Sequence, residues 1–554
     1  MHKFHGNKDM RSERTYEYVR EWLHECDVNH PTCHNELNIP EASNFSPTRV
    51  LDVSGRSEAG HEIIKLLPIA GDKILYAALS YCWGTTQSNR TLESNFSAYM
   101  QGIELSSLPQ TLQDAVFVTR KLGLQYLWVD SMCIIQDSDE DKAREIGRLE
   151  HMYSNAYVTI SANSSESCAA GFLSPRHHKS EDDIYVMLAT ESGSTANIGL
   201  KSIPEPGYRV PFKLEPIYTR AWTFQEAFLS RRSLLYSEQQ LFWTCSQTWG
   251  MDGGRVQHNT YFSEASTYRS YGSAELSHHT LKNPSVWDWK NIIELYSTRN
   301  LGDPLDKLPA LSSVASFFAR KLNDSYVAGL WLSRLCELLC WYGLPGHPLR
   351  RSASWRSPSW SYLSVDGHIS FQERYRPTSY EPEWDHAESL ECKVISCVAT
   401  PISPEASFGR ISSASLVIKG RLIKVNTHVK DGQLWVYPTD QSASTESIGR
   451  LTFDTPGIEA NGSAEFPQSV HTNHGSWSKS QSLWFFLLCA GSTWISTLNE
   501  GSGRKAGYYR WFPWGIALAE LPDGRYHRIG YIQGANKNGF ASISNKTLQT
   551  ITIV

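Results

Sequence analysis

Long apolar runs are missing from this sequence. The longest, Leu483–Ala490, is far shorter than the ~20 residues that span a bilayer, and the N-terminus Met1-His-Lys-Phe-His-Gly-Asn lacks the apolar stretch of a signal peptide. A cytoplasmic protein with no membrane partner is therefore expected. Net charge is also small: 52 Lys and Arg against 57 Asp and Glu leave −5 over 554 residues. Nothing in that balance draws the chain to nucleic acid. Gly-x-Ser-x-Gly, His-Glu-x-x-His, Gly-x-Gly-x-x-Gly and phosphate-loop motifs are all absent, which disfavours the common serine hydrolases, zincins and P-loop NTPases. No repeat of fixed period is visible. Cysteine is sparse and odd in number, 11 in all, as expected of reduced thiols rather than a disulfide framework.

Large aromatic rings, by contrast, are plentiful, with 19 Trp and 26 Tyr, and read mainly as core packing. The length calls for several domains. We read residues 1–70 as a leader segment, 71–250 as an α/β domain, 251–345 as helical, and 346–554 as β-rich with a mobile loop near 440–482. Residues 174–205 are polar and turn-rich and read as a loop.

The stretch 71–165 is the most legible. Ile74–Ser80, Leu124–Val129 and Tyr157–Ala162 are short apolar runs without alternation, as strands buried on both faces require. Between the first two, Leu112, Ala115, Val116, Thr119 and Leu122 recur at helical spacing, with Ser107 to cap, Pro109 to start and Gly123 to stop the helix. Between the second and third, Asp139, Glu140 and Asp141 precede one helix with the stripe Ile146, Leu149, Met152, Tyr153 and Ala156. Strand, helix, strand, helix, strand predicts an open, doubly wound α/β sheet, mainly parallel.

Sites in such sheets form beyond the carboxyl ends of the strands. There the first strand runs into Tyr81-Cys-Trp83-Gly84, and the second into Asp130-Ser-Met-Cys133-Ile-Ile-Gln136-Asp137. Gly84 permits close backbone approach, and Asp130, Gln136 and Asp137 line one rim; the same residues also suit turns and caps. A third cluster is Arg220-Ala-Trp222-Thr-Phe-Gln225-Glu226. On a helix, Trp222, Gln225 and Glu226 share one face, and a partly buried Glu226 would have a raised pKa or pair with Arg220. Cys133 reads as a core thiol, since no neighbouring His is placed to activate it. The segment Cys26-Asp-Val-Asn-His30-Pro-Thr-Cys33-His34 has usable tetrahedral spacing, with His24 or His34 as fourth ligand. It lacks a second ligand pair, so zinc is not expected and buried thiols in a polar loop are.

These elements together resemble the fungal heterokaryon-incompatibility (HET) domain. Leu79–Gly84 matches its Leu-Ser-Tyr-x-Trp-Gly element. Leu108-Pro109, Leu127–Asp137, Met152–Ala156 and Arg220–Glu226 match four more in order. Thr85 and Ile135 depart from the usual pattern. Asp306–Ala310, Tyr326–Trp331, Pro358–Ser361 and Arg528–Tyr531 look like segments that follow the domain in similar proteins.

The resemblance implies non-self recognition with growth arrest or death, acting with an incompatibility partner protein or a small-molecule ligand. HET domains have been likened to TIR domains, some of which hydrolyse NAD with a cleft glutamate. That likeness implies a TIR-like fold, no required cofactor, NAD as a substrate, and Glu145, Glu150 and Glu226 as catalytic candidates. Glu226 is favoured because it lies inside its own stripe, whereas Glu145 lies at the edge of its helix's stripe and Glu150 further round toward solvent. Asp130 joins them as a catalytic candidate from its strand-end position. The alternative is a small-molecule enzyme of fungal secondary metabolism using the same cleft.

Overall fold

In a computed structural model the chain divides into two compact units, Met1–Asn283 and Pro284–Val554. The structure describes residues 7–34, 45–57, 60–71, 73–85, 89–176, 184–189, 195–200, 215–238, 240–252, 255–258, 284–344, 347–371, 389–390, 392–430, 433–439, 447–455, 469–472, 475–478, 482–498, 505–534 and 546–554. Most of the segment 174–205, most of the loop near 440–482 and the side chain of His34 lie outside them.

The first unit runs α1 (Glu13–Asn29), α2 (Pro31–His34), β1 (Arg49–Asp52), β2 (Ile63–Pro68), β3 (Tyr76–Ser80), α3 (Phe96–Gln101), β4 (Ile103–Glu104) and α4 (Gln110–Lys121). It continues β5 (Tyr126–Trp128), α5 (Asp130–Cys133), α6 (Asp139–Gly147), α7 (Leu149–Asn155) and β6 (Val158–Ser161). Hairpin β7 (Ile184–Ala189) and β8 (Thr195–Leu200) then precedes α8 (Trp222–Leu229), β9 (Arg232–Tyr236), β10 (Leu241–Cys245), β11 (Thr248–Met251) and β12 (Arg255–His258). That hairpin stands where a loop was expected.

The three predicted strands appear as β3, β5 and β6, and they are parallel, with β3 between the other two. β3 is buried at every position, which explains its unbroken apolar run. α4 buries Leu112, Ala115, Val116 and Thr119 as its periodicity requires, and Gly123 follows it at φ 73°. Ser107 does not cap α4; its hydroxyl donates to the Glu104 carbonyl at 2.7 Å.

Two expectations need correction. The ten-stranded sheet, ordered β12-β11-β10-β9-β6-β3-β5-β1-β2-β4, is mixed rather than mainly parallel. Only β5, β3, β6 and β9 run parallel; β1, β2 and β4 on one side and β10, β11 and β12 on the other pair antiparallel. On the β10–β12 side the short links from β9 onward are the cause, since tight connections can only reverse the chain. The second correction is that the helix predicted over 139–156 is two, α6 and α7, broken at Arg148. Arg148 leaves the helical register and donates to Thr48 Oγ1 at 2.7 Å and the Ser46 carbonyl at 3.1 Å, while its guanidinium lies 5.0 Å from the Phe45 ring centroid. The preceding Gly147, a weak helix former, makes the break inexpensive.

The second unit holds α9 (Val286–Ser297), started by a Ser285–Asp288 capping box, and α10 (Ser312–Leu322), followed by a nine-stranded sheet. Its long strands, among them Ile411–Lys430, Leu483–Leu498 and Lys505–Glu520, pair antiparallel. Gly449–Phe453 pairs into this sheet although it falls in the stretch read as a loop. Among the described residues, no helix is long and apolar enough to cross a membrane.

Candidate functional site

Tyr81, Trp83, Asp130, Arg220 and Glu226 converge where β3 and β5 end. β3 delivers Tyr81 and Trp83, and β5 delivers Asp130 as the first residue of α5. Trp83 donates from Nε1 to the Asp130 carboxylate at 3.0 Å, and the Ser131 amide donates to Asp130 Oδ1 at 2.7 Å. The Tyr81 hydroxyl donates to Ser131 Oγ at 2.8 Å. Arg220, just before α8, donates to the Tyr81 carbonyl at 2.8 Å, and its guanidinium lies 5.7 Å from the Trp83 ring centroid. Gln136 closes the α5 turn by donating to the carbonyls of Asp130 and Ile134 at 3.0 and 3.1 Å.

α8 brings Glu226 down onto this end of β3. Glu226 is buried beside the hydroxyls of Ser80 and Tyr153, and the Tyr153 hydroxyl donates to the Leu79 carbonyl at 3.2 Å. Burial raises its pKa to about 7, the nearby Asp130 charge adds to the rise, and Ser80, Arg220 and Tyr153 oppose it. Burial likewise raises Asp130 to about 6 against the opposing pull of Arg220, the Ser131 amide and Trp83. Two carboxyls thus share one cation in a poorly hydrated place, and both titrate near neutrality. Such a pair holds one proton over part of the physiological range, which suits acid–base work.

Gln225 is fully buried beside Glu226, and Trp222 is partly exposed. Gly84 takes φ 76°, and a Cβ there would lie 2.6 Å from the Ser167 side chain, so only glycine fits between these two turns. Asp137 is exposed and accepts the Glu93 amide at 2.9 Å, a loop-closing role. Cys133 is a core thiol: the Val129 amide donates to its sulfur at 3.4 Å, and burial pushes its pKa up to about 12.

Glu145 is placed elsewhere, in a buried network with Arg49 and Arg144 that includes Asp141. Glu150, expected toward solvent, is buried on α7. Both differences follow from the break at Arg148, which ends the single helical phase on which the stripe was read. Arg49 from β1 also supplies the charge that lets Asp141 and Glu145 point inward.

Ser80, Ser131 and Tyr153 were not singled out from the sequence, though each lies inside a motif that was. A pocket lined by Ile217, Tyr218, Thr223, Ser230 and Arg231 lies beside α8, and neither Asp130 nor Glu226 lines it. Cys26, His30 and Cys33 come together as their spacing allows, and the fourth group beside them is Cys245, from β10.

Residues 76–226 match the family model described as Heterokaryon incompatibility protein (HET), a span that begins at β3 and ends at Glu226 itself. This region is a HET domain. The match therefore encloses β3, β5 and β6 and every residue of the carboxyl site. No curated protein and no solved structure matches the chain. The HET domain implies a role in heterokaryon incompatibility.

Proposed function

We propose that this HET domain produces the growth arrest of heterokaryon incompatibility by hydrolysing an N-glycosidic bond, with NAD as the substrate class. The observation that carries the reading is the carboxyl pair: Asp130 and Glu226, both shifted toward neutrality, share Arg220 at the strand ends. In the reaction the bond between ribose C1′ and nicotinamide breaks and nicotinamide leaves neutral. Water forms the new bond to C1′ and gives up a proton. Asp130, ionised above about pH 6, faces the positive charge that builds on the ribose. Glu226, ionised above about pH 7, accepts the proton of the attacking water. Ser80 and Tyr153 lie beside Glu226, and Trp83 and Ser131 hold Asp130.

The cellular test is conditional overexpression in a fungal host. The wild-type chain should arrest growth, and Glu226→Gln at equal abundance should not. Arrest that persists in Glu226→Gln removes Glu226 from the mechanism and leaves the Arg220–carboxyl cluster a structural one. An enzyme acting on an unrelated small molecule would instead leave growth intact in both strains.

A further inference from the structure

We propose that Cys26, His30, Cys33 and Cys245 form a closed structural zinc site that fastens α1 to the β10–β11 hairpin. The local sequence builds three of the ligands. Cys26 sits in the last turn of α1, and His30 ends the helix with its amide donating to the Cys26 carbonyl at 3.3 Å. Pro31 then starts α2, whose turn returns the chain so that the Cys33 amide donates to the His30 carbonyl at 2.9 Å. The fourth ligand arrives from the end of β10, 215 residues beyond His30.

All four side chains are buried, and their ligand atoms lie within 4.8 Å of one another. His30 Nδ1 stands 3.4 Å from Cys245 Sγ. Zinc bonds of about 2.3 Å to sulfur and about 2.0 Å to nitrogen place tetrahedral neighbours roughly 3.5–3.8 Å apart. Small rotations within the cluster therefore suffice to close the coordination sphere. Three sulfurs and one imidazole leave no open position, which is the arrangement of a structural rather than a catalytic zinc.

The surroundings suit a metal–thiolate centre. The Thr248 amide and hydroxyl both lie 3.3 Å from Cys245 Sγ, the outer-shell contacts that orient a ligating thiolate. A divalent ion with three thiolates carries one net negative charge. Arg232 lies close enough to Cys26 to interact with it electrostatically, and it is ion-paired at 2.7 Å to Asp27, the residue after Cys26. The same end of α1 is held by the Tyr157 hydroxyl, which donates to Asp27 at 2.7 Å, and by Trp22 stacked on Trp243 of β10. The site joins segments that no local hydrogen-bond ladder connects, where a metal cross-link stabilises most.

The test uses the full chain, purified without a polyhistidine tag under reducing conditions from zinc-supplemented cells. Elemental analysis should find about one equivalent of zinc, and stepwise mercurial titration of thiols should release it to a chromogenic indicator. Cys245→Ser should lose the metal and melt several degrees lower. Cys397→Ser, a change outside the cluster, should keep both metal and melting temperature. Folded wild-type protein with less than about a tenth of an equivalent of zinc overturns the proposal. So does full zinc content in Cys245→Ser, a different bound metal, or a disulfide among Cys26, Cys33 and Cys245. If Cys245→Ser fails to fold, the wild-type stoichiometry and thiol-coupled release still decide.

Discussion

A buried carboxyl whose pKa is raised is a liability to folding at alkaline pH and none at acid pH. Glu226 would titrate near 4.5 when exposed and titrates near 7 in the fold. Its neutral form therefore suits the folded state. That contribution is complete below about pH 4.5 and is lost as pH rises through about 7. Glu226→Gln, neutral throughout, should thus be more stable than wild type at pH 8, by up to about 3 kcal/mol, with the advantage vanishing near pH 5. Thermal melts of the two proteins across that range check this. Equal melting at pH 8 would mean that Glu226 is not held in a dehydrated place. Single residues were legible to different degrees. Asp130, Glu226, Arg220, Tyr81 and Trp83 stood out because strand-end position and helical spacing can be read locally. Ser80, Ser131 and Tyr153 did not, because hydroxyls beside a carboxyl look like ordinary core and turn residues until the elements meet. Cys245 had no local signal at all, being tied to His30 only through space.

At the scale of elements, the strand–helix–strand order was legible because fully buried strands and a regularly striped α4 leave strong patterns. The break at Arg148 was not, because its cause lies in partners distant in sequence, Ser46 and Thr48. Turns that aim the site carry their own test. Gly84 and Gly123 both adopt positive φ, so alanine at either costs about 1 kcal/mol in backbone strain. A Cβ at Gly123 meets nothing within 4 Å, whereas one at Gly84 collides with Ser167. Gly84→Ala should therefore lower the melting temperature distinctly more than Gly123→Ala, and it should also displace Trp83 from Asp130. Denaturant melts of both variants measure the difference, and equal losses would show that the Gly84 turn yields freely.

At the scale of the whole molecule, the parallel core of the ten-stranded sheet is β5, β3, β6 and β9, and antiparallel strands flank it among the described residues. Sequence patterning found the parallel centre and extended it too far, since a buried strand reads alike in either direction. The second unit has its own anchor. Arg528 is fully buried, donates to the carbonyls of Leu339 and Trp341 at 2.5 and 2.6 Å, and pairs with Asp454 at 3.0 Å. Arg528→Met leaves Asp454 only the longer contact to Arg351 at 3.5 Å and should cost about 3 kcal/mol, read as a lowered unfolding midpoint. Unchanged stability would mean that the existing Arg351 contact satisfies Asp454 by itself. The central claim, that the carboxyl pair of the HET domain is catalytic, is tested most directly by incubating the purified chain with NAD and following nicotinamide release as pH is raised from 5 to 8. The account predicts release that climbs through about pH 6–7, as Asp130 and then Glu226 ionise, and that Glu226→Gln abolishes in folded protein. No release at any pH, or release that Glu226→Gln leaves untouched, contradicts it.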